Sequence, residues 1–210
     1  MAVRVLLVDD HLLVREGLKV LLESKGFKVV AEGANGQEAL RLAKDWVVDI
    51  AVLDIAMPLL NGIDAARELR KIAPRIKSII LTRHEDESFV AAALAAGVKG
   101  YVLKSQVADD LVQAVQQVNK GGTYLSPAIT QATVDAYHAT GEAPGDGLTP
   151  RERQVLQLIG EGKTTRQIAG MLGIGTKTAE THRTRLMRKL DIHETAGLVR
   201  YGVRCGLVQP

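Results

Sequence analysis

The first 120 residues alternate short apolar runs with amphipathic helical patterns, and this alternation constrains the fold more than any other feature. The five runs are residues 3–8, 27–31, 50–53, 77–81 and 100–103. Between and after them, apolar residues recur at the spacing of a helix, as they do over residues 108–119. Five successive strand–helix units predict an α/β domain with a doubly wound, five-stranded parallel sheet and right-handed crossovers.

Acidic residues stand where two of these strands should end. Asp9 and Asp10 follow the first run, and Asp54 follows the third. In open parallel sheets, ligands bind beyond the carboxyl ends of the strands. Crowded carboxylates repel one another, and Mg2+ relieves that repulsion because it binds a few carboxylates together with water and phosphate oxygens. The pattern therefore predicts a magnesium site suited to phosphoryl chemistry.

Two more polar residues end the remaining runs of the sheet. Thr82 follows the fourth run and Lys104 follows the fifth. A carboxylate can act as a nucleophile and form an aspartyl phosphate, while an ammonium group and a hydroxyl stabilise the transferred group. Alone, a strand-end Asp or Thr is usually a cap and a lone lysine is a solvated charge. Their joint occurrence favours a phosphorylation site over these simpler explanations.

Four motifs give residues 1–120 a resemblance to the receiver domain of bacterial two-component response regulators. They are Val8-Asp9-Asp10, Asp54-Ile55-Ala56-Met57-Pro58, Leu81-Thr82 and Tyr101-Val102-Leu103-Lys104. A departure is Ser105, where many receivers have proline. A rival class is a phosphatase that uses an aspartyl nucleophile, but such enzymes usually need a second Asp two positions on as general acid. Ala56 stands there, so we discard that alternative.

The resemblance implies a role for each residue of the motifs. Asp54 would accept phosphate from a sensor histidine kinase, and Thr82 and Lys104 would sense it. Tyr101 would turn inward on activation. The implied Mg2+ ligands are Asp9, Asp10, Asp54 and the backbone carbonyl of Ala56.

The net charge of +3 hides a contrast between two parts of the chain. Residues 1–146 hold 16 Lys+Arg and 19 Asp+Glu, whereas residues 147–210 hold 11 and 5. An acidic part followed by a basic part suggests a control domain and a nucleic-acid-binding domain. The single cysteine, Cys205, and the lack of an export leader or an apolar stretch long enough to span a bilayer predict a cytoplasmic protein.

The basic part follows a purely helical pattern. Two capping boxes begin at Thr149 and Thr164, and a tight glycine-containing connection over residues 172–175 is typical of a helix-turn-helix. Helices are predicted over residues 176–190 and 194–205. The predicted domains are a receiver over 1–122, a linker over 123–147 with a candidate short helix at 126–140, and a four-helix domain over 148–210.

The helix from residue 176 divides into two faces. Ala179, Leu186 and Leu190, with His182 between them, should pack inward. Residues 148–208 resemble the LuxR-type DNA-binding domain of the NarL/FixJ response regulators, through motifs that include residues 148–156 and 177–183. A helix fits the major groove of double-stranded DNA. The predicted DNA-binding set combines the outward face with the start of the preceding helix, namely Lys177, Glu180, Thr181, Thr184, Arg185, Arg188, Thr164, Thr165 and Arg166.

Together these features predict a phosphorylation-controlled transcriptional regulator that is not an enzyme and does not bind membranes. Phosphorylation should favour a homodimer, and RNA polymerase is a candidate partner. Leu198, Tyr201 and Cys205 recur at helical spacing on the last helix and are equally suited to pairing two copies or to closing the domain core. The alternative hypothesis is a DNA-binding regulator whose receiver is a phosphorylation-independent protein-interaction module.

Overall fold

The computed structural model describes residues 2–83, 87–127, 129, 148–205 and 207–208. The chain divides into two compact units, Met1–Pro144 and Gly145–Pro210. Of the helix predicted over 126–140, only three residues are described, and residues 141–147 at the end of the predicted linker lie outside the described residues. In the described parts of the chain, no helix has the length and apolar character needed to cross a membrane.

The first unit is built on one sheet in which all neighbouring strands are parallel. The strand order is β2-β1-β3-β4-β5-β6, which confirms the predicted doubly wound architecture. Most strand residues are buried because helices cover both faces of the sheet. The strands are β1 Arg4–Val8, β2 Lys28–Gly33, β3 Ile50–Asp54, β4 Lys77–Thr82, β5 Gly100–Leu103 and β6 Tyr124–Leu125.

The prediction of five strands was wrong by one. The extra strand, β6, pairs with β5 in parallel, with Gly100 opposite Tyr124 and Tyr101 opposite Leu125. A strand of two residues is too short to show an alternating pattern, and Gly121-Gly122 before it looked like the end of the domain. The segment assigned to a linker from residue 123 therefore begins with an edge strand of the sheet.

Five helices follow the strands in the described residues of the first unit, and two apolar cores lie on opposite faces of the sheet. Alternate residues of one strand enter different cores: Leu53 faces one of them, and Val52 faces the other. A short 3-10 helix, Lys104–Gln106, joins β5 to the last of these helices. The helices are α1 Leu12–Ser24, α2 Gly36–Asp45, α3 Gly62–Ile72, α4 Glu87–Ala95 and α5 Val107–Asn119.

The loop between β3 and α3 folds back closely on the end of its own strand. Gly62 begins α3, and a Cβ atom added there would lie 2.0 Å from the backbone carbonyl oxygen of Asp54. Asn61 caps the helix by accepting a hydrogen bond from the Asp64 amide. Leu59, in the same loop, has a φ of 68°, a left-handed conformation that is uncommon for a residue with a side chain. The loop is therefore held in one tight path against Asp54.

The second unit is helical throughout its described elements. Thr149 and Thr164 each complete the predicted capping box, so two donors at each helix start are satisfied. Ala179 and Leu186 are buried as predicted, whereas His182 and Leu190 are half-buried. The helices are α6 Pro150–Gly160, α7 Thr165–Met171, α8 Thr176–Leu190 and α9 Thr195–Arg204.

Candidate functional site

Four adjacent strands bring the predicted polar residues to one edge of the sheet. Asp9 follows β1, Asp54 ends β3, Thr82 ends β4 and Lys104 follows β5. The first three side chains are buried, with only 1% of Asp9 and 4% of Asp54 exposed. The convergence predicted from strand ends is thus present, and it places two carboxylates where water is scarce.

Lys104 joins the two buried carboxylates. Its Nζ lies 2.7 Å from Asp9 Oδ2 and 3.0 Å from Asp54 Oδ2. Burial raises the pKa of the Asp54 carboxyl; Lys104 opposes this shift, and the charges of Asp9 and Asp10 add to it. One ammonium group facing three carboxylates leaves a nominal charge of about −2, which a divalent cation would balance.

The donor atoms of this edge fit a hard divalent cation. Carboxylate oxygens of Asp9, Asp10 and Asp54 and a ring nitrogen of His11 all lie within 4.8 Å of one another. Mg2+ takes oxygen ligands and keeps several waters, so the three carboxylates match its preference. Ala56 is half-buried in the loop after β3, and its carbonyl stays a predicted ligand.

His11 is a neighbour of the acidic cluster that the sequence analysis did not single out. Its Nδ1 lies 2.7 Å from Asp10 Oδ1, and its amide donates to Asp9 Oδ1 at 2.9 Å. Arg15 of α1 adds a second support, because its guanidinium donates to the Asp9 carbonyl oxygen at 2.6 Å. For His11, adjacency to Asp9-Asp10 was the available signal; Arg15 looked like one more charge on an amphipathic helix.

Thr82 lies on β4, the strand that pairs with β3, and Tyr101 lies on β5, one strand further from Asp54. Thr82 is buried and pairs in register with Leu103, while Tyr101 is buried opposite Ile80. Tyr101 belongs to the apolar core shared with Leu53 and Ile80, so its ring points into the protein. The positions agree with the predicted switch pair, and their response to phosphate stays a prediction.

In the second unit, α7 and α8 form the predicted helix-turn-helix. The Arg151 guanidinium of α6 donates to the carbonyl oxygen of Leu172 at 2.8 Å, which satisfies the end of α7 just before the turn. The Thr181 hydroxyl donates to the Lys177 carbonyl oxygen at 2.9 Å. Of the nine residues predicted to contact DNA, Thr165 is half-buried and the following are exposed: Lys177, Glu180, Thr181, Thr184, Arg185, Arg188, Thr164 and Arg166.

An ion pair between buried Glu152 and exposed Lys189 connects α6 to the end of α8. Lys189 Nζ lies 2.7 Å from Glu152 Oε2, and Glu152 also accepts from the Thr149 amide at 2.8 Å. Burial pushes the pKa of Glu152 upward, but the hydrogen bonds from Lys189 and Thr149 outweigh it and hold that pKa below its ordinary value of 4.5. The capping role of Glu152 was predictable from the sequence, whereas its ion pair with Lys189 was not.

We expect Lys189→Met to destabilise the second unit by about 1–3 kcal/mol, because it leaves a buried carboxylate without its cation. Amide hydrogen exchange of α6 and α8 in the full chain would measure the loss. The stabilisation from Glu152 is present above pH 4.5 and is lost as pH falls through its lowered pKa. The difference in unfolding free energy between wild type and Lys189→Met should therefore become smaller in acid.

The matched control is Lys177→Met, which removes an exposed lysine from the same helix. It should leave exchange in α6 unchanged. Equal protection of α6 in the Lys189→Met and Lys177→Met proteins at neutral pH would show that the Lys189–Glu152 pair contributes no stability.

Comparison with protein families assigns both units. Residues 5–116 match the response regulator receiver domain. Residues 146–202 match the bacterial regulatory proteins of the luxR family. The two matches cover the acidic edge of the sheet and the helix-turn-helix respectively.

Individual proteins are similar along nearly the whole chain. The transcriptional regulatory protein MctR of Rhizobium johnstonii is 39% identical over 207 residues, covering 98% of this chain and 95% of MctR. The response regulator GacA of Pseudomonas aeruginosa is 34% identical over 209 residues, covering 98% of each chain.

Solved structures give the same picture. A LuxR-family two-component response regulator from Aurantimonas sp. has a TM-score of 0.62 and 39% identity, over 65% of this chain and 98% of that one. RcsB from Salmonella enterica, bound to a promoter in the presence of phosphomimetic BeF3−, has a TM-score of 0.64 and 25% identity, over 96% of this chain and 98% of that one.

Proposed function

This chain belongs to the two-component response regulators that join a receiver domain to a LuxR-type DNA-binding domain, and on that premise we propose that phosphorylation of Asp54 by a sensor histidine kinase controls its binding to promoter DNA. The observation that carries the proposal is the bridge of Lys104 between Asp9 and Asp54. It sets a nucleophilic carboxylate beside a cation, at an edge that also supplies a buried hydroxyl from Thr82.

In the proposed reaction, an Asp54 carboxylate oxygen attacks phosphorus and the phosphorus–nitrogen bond of the kinase phosphohistidine breaks. Asp9, Asp10, Asp54 and the Ala56 carbonyl would hold Mg2+, which when bound neutralises charge on the phosphoryl oxygens. Lys104 loses one carboxylate partner when Asp54 becomes an acyl phosphate, and it would pair with the phosphoryl group instead. The Thr82 hydroxyl would donate a hydrogen bond to a phosphoryl oxygen, and Tyr101 would pack beside Thr82.

The alternative, a receiver that acts only as a protein-interaction module, gives no reason for this cluster. Ionised carboxylates are costly to bury unless they are paired or bind a cation. A module without phosphorylation would be more stable with neutral residues at Asp9 and Asp54. Retention of the acidic pair together with Lys104 therefore favours phosphoryl transfer.

The remaining parts of the proposal concern the whole chain. The receiver would span residues 1–122 and the DNA-binding domain residues 148–210. The protein would work in the cytoplasm as a regulator without enzymatic turnover on other substrates, pair as a homodimer when phosphorylated, and meet RNA polymerase at promoters. The solved complex of RcsB with a promoter supports DNA binding by this chain, and we assign it to the exposed face of α8.

Incubation with a small-molecule phosphodonor tests the phosphorylation step. The protein should acquire one acid-stable but hydroxylamine-sensitive phosphoryl group in the presence of Mg2+, and peptide mapping should place it on Asp54. A chelator should prevent labelling, because the carboxylates alone repel the donor. Mg2+-dependent label on another residue, or no label with a donor that phosphorylates a control receiver, would contradict the proposal.

DNA binding is tested on the exposed face of α8. Arg188→Ala should weaken binding to all sequences and lower the salt slope by about 0.9 for one lost phosphate contact. Thr181→Ala should change the preferred sequence more than the overall affinity, since base contacts specify while phosphate contacts position. Arg75→Ala, an exposed arginine of the receiver unit, is the control. The face is misassigned if Arg188→Ala and Arg75→Ala bind DNA with the same salt dependence.

A further inference from the structure

A buried polar cluster lies beside the end of β5, separate from the acidic residues. It consists of Asp110 of α5, Tyr124 of β6 and Ser126, which follows β6, and all three are buried. Buried carboxylates require hydrogen-bond partners, so this cluster fixes the relative positions of α5, β5 and β6. The proposed function assigns no role to these three residues.

Ser126 makes two hydrogen bonds to the end of β5 and one to α5. Its Oγ accepts from the Leu103 amide at 3.1 Å and donates to Asp110 Oδ2. Its amide donates to the Tyr101 carbonyl oxygen at 2.9 Å. The side chain therefore continues the β5–β6 ladder by one step, after a strand of only two residues that would be weak alone.

The place of these bonds in the chain gives them their significance. Leu103 directly precedes Lys104, the residue that contacts Asp9 and Asp54. Tyr101, two residues earlier, is the aromatic member of the proposed switch. Ser126 directly follows β6, on the chain that leads towards the second unit. Ser126 is thus bonded to the strand that precedes Lys104, and it lies at the start of the connection towards the DNA-binding domain.

We propose that Ser126 and Asp110 form a clip that transmits the phosphorylation state of Asp54 from the Lys104 end of β5 to the interdomain segment. The clip rests on the proposed function, because phosphorylation changes what Lys104 can pair with. Any shift of the Leu103–Lys104 backbone changes the geometry at Ser126 Oγ. Because Ser126 itself lies on the chain leaving β6, the change reaches that chain, while the bond to Asp110 anchors Ser126 to α5. The clip can change DNA affinity only by as much as the free energy of its hydrogen bonds differs between the phosphorylated and unphosphorylated states.

Tyr124 supplies a matched contrast within the same cluster. Burial and a hydrogen bond to Asp110 raise the pKa of its hydroxyl to about 12, so it remains protonated at neutral pH. Its side chain supports Asp110 without contributing to the Ser126–Leu103 bond. Removing the Tyr124 hydroxyl should therefore weaken the cluster and leave the connection to β5 in place.

The test compares full-length wild type, Ser126→Ala and Tyr124→Phe. Two quantities are measured: phosphodonor label on Asp54, and the ratio of DNA affinities with and without the donor. The DNA is the fragment that wild type enriches most in genome-wide mapping. Wild type should gain affinity on phosphorylation, typically ~5–150-fold for coupled sites. Ser126→Ala should take label within about twofold of wild type yet lose most of this gain, and Tyr124→Phe should keep it.

The outcomes separate the clip from the proposed function. A Ser126→Ala protein that is labelled and keeps the wild-type gain overturns the clip alone. A wild type that takes no label overturns the proposed function and the clip together. Should Ser126→Ala fail to fold, Asp110→Asn replaces it: this change turns a charge-assisted bond into a neutral one and should reduce the gain below that of Tyr124→Phe. Equal gains in those two variants overturn the clip.

Discussion

Asp54→Asn is expected to take no phosphoryl label and to melt at a higher temperature than wild type. The amide keeps the shape of the side chain but is not a nucleophile, so labelling should stop. Stability should rise because burial disfavours the charged carboxylate, as the raised pKa of Asp54 indicates. Lys104 keeps Asp9 as a partner at 2.7 Å, so the substitution leaves the lysine paired. A gain of ~1 kcal/mol would raise Tm by roughly 4 °C.

The pH dependence of this stability gain follows from the direction of the pKa shift. A carboxyl whose pKa is raised above 3.8 in the folded protein stabilises the fold below pH 3.8, and this contribution is lost as pH rises through the folded pKa. The difference in stability between Asp54→Asn and wild type should therefore be largest near neutral pH and should become smaller in acid.

Thermal unfolding must be measured with a chelator present, because Mg2+ bound to wild type would stabilise it separately. Asp45→Asn is the control: Asp45 is exposed at the end of α2 and pairs with Arg41. It should be labelled normally and should not melt higher. An Asp54→Asn protein that is labelled like Asp45→Asn would remove Asp54 from the reaction.

The acidic edge could be predicted from sequence because its geometry follows from local patterns. A strand that ends at Asp54 and a neighbour that ends at Thr82 must present those residues at the same edge of a parallel sheet. The two faces of α8 were predictable for a similar reason, since helical periodicity alone separates Ala179 from Thr181. Each strand end, and each face of α8, can be recognised within one short window of sequence.

The features that escaped prediction join residues far apart in the chain. Lys189 and Glu152 are separated by 37 residues, and Ser126 and Leu103 by 23. Neither member of such a pair differs, in its own window, from a solvated or capping residue. The strand β6 was missed for the opposite reason, because two residues give no periodicity at all. Tertiary pairing of buried polar groups thus had to come from the structure.

Gly62→Ala should produce the largest loss of stability and of phosphorylation among single-methyl changes in the receiver unit. Elsewhere in a helix, replacing Gly by Ala stabilises by roughly 0.5–1 kcal/mol. At Gly62 the added Cβ would lie 2.0 Å from the Asp54 carbonyl oxygen and 2.9 Å from its carbonyl carbon. Both atoms are backbone and cannot move aside as a side chain can, so the sign of the effect should reverse.

Overpacking of this kind destabilises by about 1–3 kcal/mol, and sometimes more. Relief requires α3 or the end of β3 to shift, and either movement displaces Asp54 from Lys104 and Asp9. Since a misplacement of ~1 Å can lower a reaction rate ~100-fold, the initial rate of labelling should fall at least tenfold. Thermal unfolding and phosphodonor labelling of the same preparation measure both effects.

Gly17→Ala is the matched control, because Gly17 lies within α1 and a Cβ there meets no atom within 4 Å. It should raise Tm slightly and leave labelling unchanged. If Gly62→Ala also melts higher and is labelled at the wild-type rate, the loop after β3 can relax without moving Asp54, and close packing of Gly62 is then not what positions the carboxylate for phosphoryl transfer.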